Sequence, residues 1–290
     1  PSFTLVNGAT AQESLSPSMR TEFVSHPRLK SAPHYQIDVN LDMDLLVYKG
    51  VLTLTLKNQE RDTLNSLNFL LYPNTKELSG KRERRLIISS AEVDGREVAY
   101  DQFAGEVLNI PLPTPLVPGA KTVVRLGFKG SLYRLPDSAS DPSKMGLEQL
   151  LQSVVHHREQ TGGYGVFSYG EGIVSMALWH PLLVAYDEHG WDLKPSGGVG
   201  DRSYFDISHF DVTLTTSADA LVATTGSEVE ARRVRGERVS RYVAGGVREF
   251  TIQASKDYVV SEARVGDVRI KSYALAKHRE SGEATLREAV

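Results

Sequence analysis

The side chains able to do chemistry in this chain are scattered rather than gathered. Its eight histidines are His26, His34, His156, His157, His180, His189, His209 and His278. A zinc peptidase of the H-E-x-x-H kind needs two histidines one helical turn apart, with the glutamate acting on metal-bound water. No pair here has that four-residue spacing. His156-His157 with Glu159 is the densest group, but adjacent residues on a helix point about 100° apart and cannot close on one ion in that manner. There is no cysteine, so thiolate metal sites and disulfides are excluded. No catalytic residue, metal ligand or cofactor is therefore assigned within this chain.

Other motifs are equally sparse. The run Gly162–Gly172 (GGYGVFSYGEG) is rich in glycine but holds neither phosphate-loop pattern. It reads as a loop whose one carboxylate, Glu171, stands between two glycines, where a side chain can reach into a cleft. A lone loop glutamate is more commonly just solvated. The nucleophile-elbow pattern G-x-S-x-G is absent. Asp187, Glu188 and His189 are consecutive in a loop and cannot all face one substrate.

The stretch Trp179–Phe210 holds both tryptophans and three of the histidines, with Pro195, Gly197, Gly198 and Gly200 breaking any helix. Aromatic side chains bury large areas and anchor cores. The stretch reads as a structural corner of a β-domain, with the edge of a ligand cleft as the sharper reading.

The elements that must carry these residues are mostly strands. Tyr35, Ile37, Val39, Leu41, Met43 and Leu45 alternate with polar residues, the period-two mark of a half-buried strand. Leu52, Leu54 and Leu56 repeat the pattern after Gly50, which suggests an antiparallel pair. Leu67–Tyr72 stops at Pro73-Asn74, a turn signal. Leu86–Val93 and Glu97–Tyr100 flank Asp94-Gly95, a dipeptide suited to two-residue hairpin turns. Val107–Leu112 and Thr122–Phe128 follow, with Pro111, Pro113, Pro115 and Pro118 confining the link between them to extended or turn structure. Later strands are expected at Asp211–Thr216, Ala220–Ala223, Glu228–Val234, Arg238–Val243, Arg248–Ala254, Tyr258–Ala263 and Val268–Ala274, with turns at Gly226 and Gly245-Gly246. One stretch breaks the rhythm: Leu147, Leu150, Leu151, Val154 and Val155 mark one face of a helix over 147–160. Glu280–Val290 reads as the start of another helix. The expected fold is mainly β, an antiparallel sandwich or saddle-like sheet with one helical excursion.

Composition narrows the function classes. Of 290 residues, 40% are hydrophobic and 24% charged, ordinary values for a globular protein. A net charge of −3 gives no electrostatic case for nucleic acid, and the one dense basic run, Lys81–Arg85, reads as a solvated turn. No stretch approaches the ~20 apolar residues of a membrane span. Pro1–Gln12 ends in A-T-A like a trimmed signal peptide but lacks its basic region and is too short. Residues 1–34 read as an arm. The compartment is left unassigned, an extracytoplasmic setting being slightly favoured over a cytoplasmic one.

Taken in order, these pieces resemble the aminopeptidase N (gluzincin) family of zinc metallopeptidases. The resemblance rests on Tyr35–Leu41 (YQIDVNL), Tyr48–Leu56 (YKGVLTLTL), Leu67–Asn74 (LNFLLYPN), Trp179-His180-Pro181 followed by Asp187-Glu188, and Ala223-Thr224-Thr225-Gly226. Arg248–Ser255 (REFTIQAS) and Val268–Ala274 (VRIKSYA) complete the series, which covers about residues 35–290. The resemblance implies an N-terminal β-domain over 35–261 and the start of a zinc-peptidase domain over 262–290. The family's G-x-M-E-N and H-E-x-x-H motifs are absent. The chain, which stops in a helix without a cap, is thus expected to be a fragment of a longer protein. The family places a Gln or Glu of its β-domain near the substrate amine, and Glu171 or Gln160 answers to it by position alone. The implied partners are a peptide substrate and the missing peptidase domain in cis, with zinc belonging to the full-length parent. The alternative is a non-catalytic β-sandwich used for binding or scaffolding.

Overall fold

The structure, a computed structural model, describes residues 27–75, 84–103, 105–135, 166–193 and 205–290. The expected helix over 147–160, Gln160, the first part of the 162–172 loop and most of the arm lie outside the described residues.

Among the described residues strand dominates, in three larger sheets and two separate hairpins. The largest sheet holds β1 (His34–Asp42), β2 (Val47–Lys57), β4 (Leu86–Val93), β5 (Arg96–Glu97), β8 (Lys121–Ser131), β15 (Ser208–Ser217), β17 (Ser227–Val234) and β18 (Glu237–Val247). Their spatial order is β17-β18-β15-β1-β2-β8-β4-β5. A second sheet places β3 (Leu64–Leu70) between β12 (Leu182–Leu183) and β7 (Val107–Leu116), with β6 (Asp101–Phe103) beyond β7. A third runs β16 (Leu221–Thr224), β19 (Ile252–Ser255), β11 (Ile173–Met176), β10 (Phe167–Gly170), β9 (Tyr133–Arg134). The hairpins are β13 (Tyr186–Asp187) with β14 (Gly190–Trp191), and β20 (Tyr258–Val265) with β21 (Val268–Leu275). A short helix α1 (Pro27–Lys30) precedes β1. A 3-10 turn at Ala276–His278 leads from β21 into helix α2 (Arg279–Glu288).

The period-two pattern decides which faces are dry. On β1 the residues Tyr35, Ile37, Val39 and Leu41 are buried, while Gln36 and Asp38 are exposed. Its partner β2 buries Leu52, Leu54 and Leu56, with Ile37 opposite Leu52 and Tyr35 opposite Leu54. A slip of one residue would expose both rows, so the register is fixed by burial. These side chains share one core with Phe69 and Ile110 of the second sheet and with Phe167, Met176 and Ile252 of the third. Asp94-Gly95 makes the expected two-residue turn, with φ of 48° and 76°.

Some details depart from the sequence reading, three of them in how the strands pair. Antiparallel pairing prevails, but β1 and β15 run parallel, with Tyr35 opposite Phe210. A parallel neighbour needs a long crossover, which local patterning does not reveal. Second, β7 runs on through Pro113 and Pro115 to Leu116 instead of ending at Leu112. Pro111, Pro113 and Pro115 are all exposed on one side of the strand, and β6 pairs only with residues 107–109, so their missing N–H groups cost no partner on that edge. Third, Gly245 and Gly246 lie inside β18 rather than in a turn. There Ser208 and Phe210 pair across a register shift, and Gly246 has a φ of 69°. A bulge, not a chain reversal, uses the glycine.

The Trp179 corner ties the layers together. Trp179 is fully buried; its indole N–H donates to the Phe250 carbonyl at 2.8 Å, and its own carbonyl accepts from the Tyr48 hydroxyl at 2.7 Å. Gly130 is required here, because the Tyr48 ring occupies the place a β-carbon would take. Tyr35 and Phe210 stack with centroids 4.8 Å apart, and His180 packs edge-on against Trp179 at 4.9 Å.

Candidate functional site

The third sheet presents a carboxylate at the rim of a cleft. Strands β10 and β11 pair antiparallel with Gly170 opposite Ile173, so Glu171 and Gly172 are the two residues of the connecting turn. Their φ angles are 51° and 83°. Positive φ at both positions is the type I′ turn, whose twist matches that of the strands it joins. Glycine meets that demand freely, whereas a glutamate held there costs on the order of 1 kcal/mol. A β-carbon on Gly172 would also come within 3.0 Å of an Asp257 carboxylate oxygen.

Across from this turn lie the β20–β21 hairpin and helix α2. Between them is a cleft of about 590 Å³, with Leu135, Ile173, Tyr258, Tyr273, His278 and Thr285 among its walls and Glu171 at its edge. Tyr258 and Tyr273 meet edge to face, centroids 5.8 Å apart. Burial first of all raises both phenol pKa values, so the hydroxyls stay protonated. Helix α2 sits close on β21: a β-carbon at Gly282 would lie 2.7 Å from that of Ala274. The Lys277 ammonium, in the 3-10 turn, donates to Glu171 Oε2. The site is thus a mainly apolar, tyrosine-bearing cleft with a carboxylate at its mouth, a setting for a cation with an apolar body.

Of the two residues expected near a substrate amine, Glu171 is at this rim and Gln160 lies outside the described residues. The expected boundary near residue 262 falls within β20, so the cleft is walled by both sides of it. Lys277, Tyr258 and Tyr273 were not singled out from the sequence. No local signal marks them, since only the packing of distant elements brings them to Glu171.

The Trp179–Phe210 stretch divides. Its beginning is the buried corner described above. Further on, Tyr186 and Trp191 meet edge to face at 5.1 Å and line a groove of about 490 Å³ with Phe205, Asp206 and Arg248. His180 is not a ligand in waiting. Its Nδ1 lies 3.0 Å from the Pro181 carbonyl and must carry the proton to donate there, which leaves Nε2 as a buried lone pair without a partner. Burial pushes its pKa down to about 4, so it is neutral at pH 7. His34 and His209 face each other across β1 and β15, their pKa values lowered chiefly by burial.

Among the described residues no three His, Asp or Glu side chains converge on a point where a metal ion could be held. They do not fit a catalytic zinc, which needs three protein ligands in open tetrahedral geometry. No helix among them is long and apolar enough to cross a membrane.

No family model matches the sequence, and no curated protein matches it. Solved structures do. The chain is similar to an M1 zinc metallopeptidase from Deinococcus radiodurans, with 16% identity and a TM-score of 0.48 over 84% of this chain and 46% of that one. It is similar to a substituted form of that enzyme bound to a Tyr-Ser-Ala substrate, with 17% identity, a TM-score of 0.49 and coverage of 84% and 46%. A two-domain M1 zinc metallopeptidase bound to L-tryptophan gives 18% identity and a TM-score of 0.49, covering 84% of this chain and 47% of that one. The likeness is to M1 zinc metallopeptidases, and the chain spans about half the length of the structures it matches.

Proposed function

We propose that this chain is the N-terminal, substrate-framing part of a zinc aminopeptidase that releases N-terminal amino acids from peptides. In this reading residues 1–34 are an arm, 35–261 the framing β-domain and 262–290 the opening of the peptidase domain. The observation that carries it is Glu171, a carboxylate held in a left-handed turn at the mouth of a cleft walled on one side by the β-domain and on the other by residues 272–285. A peptide's free α-ammonium is a compact donor of charge-assisted hydrogen bonds, and Glu171 is the acceptor at that rim. Its role is to bind and orient the N-terminus. Zinc, held by residues of the remaining domain, supplies the polarised water when bound.

The test uses two chains, one ending at Val290 and one continuing through the reading frame beyond it, assayed on an aminoacyl anilide with and without chelator. The expected result is chelator-sensitive release by the longer chain alone. In that longer chain Glu171→Gln raises KM more than it lowers kcat, because an amine contact made equally in the ground and transition states is lost. Activity in the short chain overturns the assignment of catalysis to the other part. A zinc-loaded but inert longer chain moves the assignment to a binding or scaffold domain.

A further inference from the structure

We infer that Lys277 is a built-in stand-in for the ligand's amine, and that the cleft beside Glu171 admits primary amines with an aromatic or aliphatic body only by displacing it. The inference rests on the reading of Glu171 as an amine acceptor and adds the residue that competes for it.

Three observations carry it. The Glu171 carboxylate is already engaged by a primary ammonium, the same chemical group that ends a peptide. That ammonium belongs to a side chain 57% exposed, while Glu171 is 32% exposed, so Lys277 can swing into water with little change in its solvation. A pair this exposed is weak enough to be exchanged. Finally, the cleft next to the pair is open and apolar. Its tyrosine pair and the close seating of α2 on β21 give it firm walls.

Exchange of one ammonium for another conserves the hydrogen bonds to Glu171. The net gain for a ligand then comes from burying its apolar body against Tyr258, Tyr273 and Ile173. Ligands with a polar body gain nothing over Lys277 and are refused. Ligands without an amine leave the pair closed. Lys277 thus sets a threshold that couples recognition of the amine to recognition of the apolar body.

The probes are L-phenylalaninamide and its N-acetyl derivative, which has the same body and no ammonium. Binding to the 290-residue chain is measured by titration calorimetry and by ligand-observed NMR. Lys277→Met removes the competitor and keeps an apolar stem, and is expected to tighten L-phenylalaninamide about two- to sixfold, the factor returned when a competing exposed pair is deleted. Lys277→Arg retains a competitor and shows no tightening. Lys271→Met removes one charge from the neighbouring strand β21 and leaves affinity unchanged. Glu171→Gln loses the preference for the amine over the N-acetyl compound. Amine binding that depends on Glu171 but is the same in the native and Lys277→Met chains overturns the stand-in and leaves the role of Glu171 intact. Equal binding of both probes in every chain, or binding of neither even in Lys277→Met, overturns the inference; the chelator assay of the longer chain still decides the framing role separately.

Discussion

The corner at Trp179-His180 and the turn at Glu171-Gly172 are close in sequence, yet they sit at opposite ends of the chain's energetic range. At the corner, two aromatic rings and a histidine are removed from water; the Trp179 indole N–H and carbonyl are matched by Phe250 and Tyr48, while His180 Nε2 has no partner. A buried polar atom without a partner is expensive, so the corner tolerates little change. At the turn, the backbone is left-handed, the Glu171 side chain is partly in water, and Lys277, which pairs with it, is largely exposed. Both regions hold a left-handed residue, Leu178 (φ 53°) beside Trp179 and Glu171 (φ 51°) in the turn; what separates them is that the corner is dry and packed, whereas the turn presents a charged group to a cleft.

Four substitutions or conditions sharpen that contrast. The largest effect is expected from Trp179→Ala, which removes a fully buried ring and leaves the Phe250 carbonyl unmatched. A loss of about 3–5 kcal/mol is expected in urea unfolding. A loss below ~1 kcal/mol would mean that the corner is not where the layers are joined.

Acid comes next. His180 has a folded pKa of about 4 against an ordinary 6.5, so the unfolded chain takes up its proton first. Its contribution is fully present above about pH 6.5 and is lost as pH falls toward 4, in total on the order of 3 kcal/mol. His34 and His209, also lowered, add to the same slope. Urea midpoints compared at pH 7.5 and 4.5 should show the loss, and His180→Leu should flatten part of it. An unchanged slope in that variant would remove His180 from the account.

A smaller cost is expected at the cleft wall. Gly282→Ala gains about 1 kcal/mol of helix propensity, but the new methyl meets the Ala274 side chain at 2.7 Å and forces α2 outward. A net destabilisation of about 1 kcal/mol follows, together with weaker binding of amine probes. The smallest effect has the opposite sign. Glu171→Gly relieves the left-handed backbone and loses the exposed pair with Lys277, so thermal stability should rise by about a few tenths of a kcal/mol while amine preference disappears. A variant both less stable and unable to bind would make Glu171 a structural residue instead.

The buried faces could be read from the order of the residues. Period-two patterning in Tyr35–Leu41 and in Leu52–Leu56 names the buried rows, because a strand turns alternate side chains to opposite sides whatever it pairs with. That order also determined the Asp94-Gly95 turn, whose backbone demands are local. Glu171 was legible as a carboxylate between two glycines, but what it faces was not. The tertiary structure alone decided that β1 lies parallel to β15, that β7 runs on through Pro113 and Pro115, and that Gly246 forms a bulge. It alone brought Lys277, Tyr258 and Tyr273 to the mouth beside Glu171. The physical reason is the same in each case. Burial pattern and turn chemistry depend on neighbours a few residues away, whereas strand partners and cleft walls are chosen by contacts between segments some hundred residues apart, which no local spacing records.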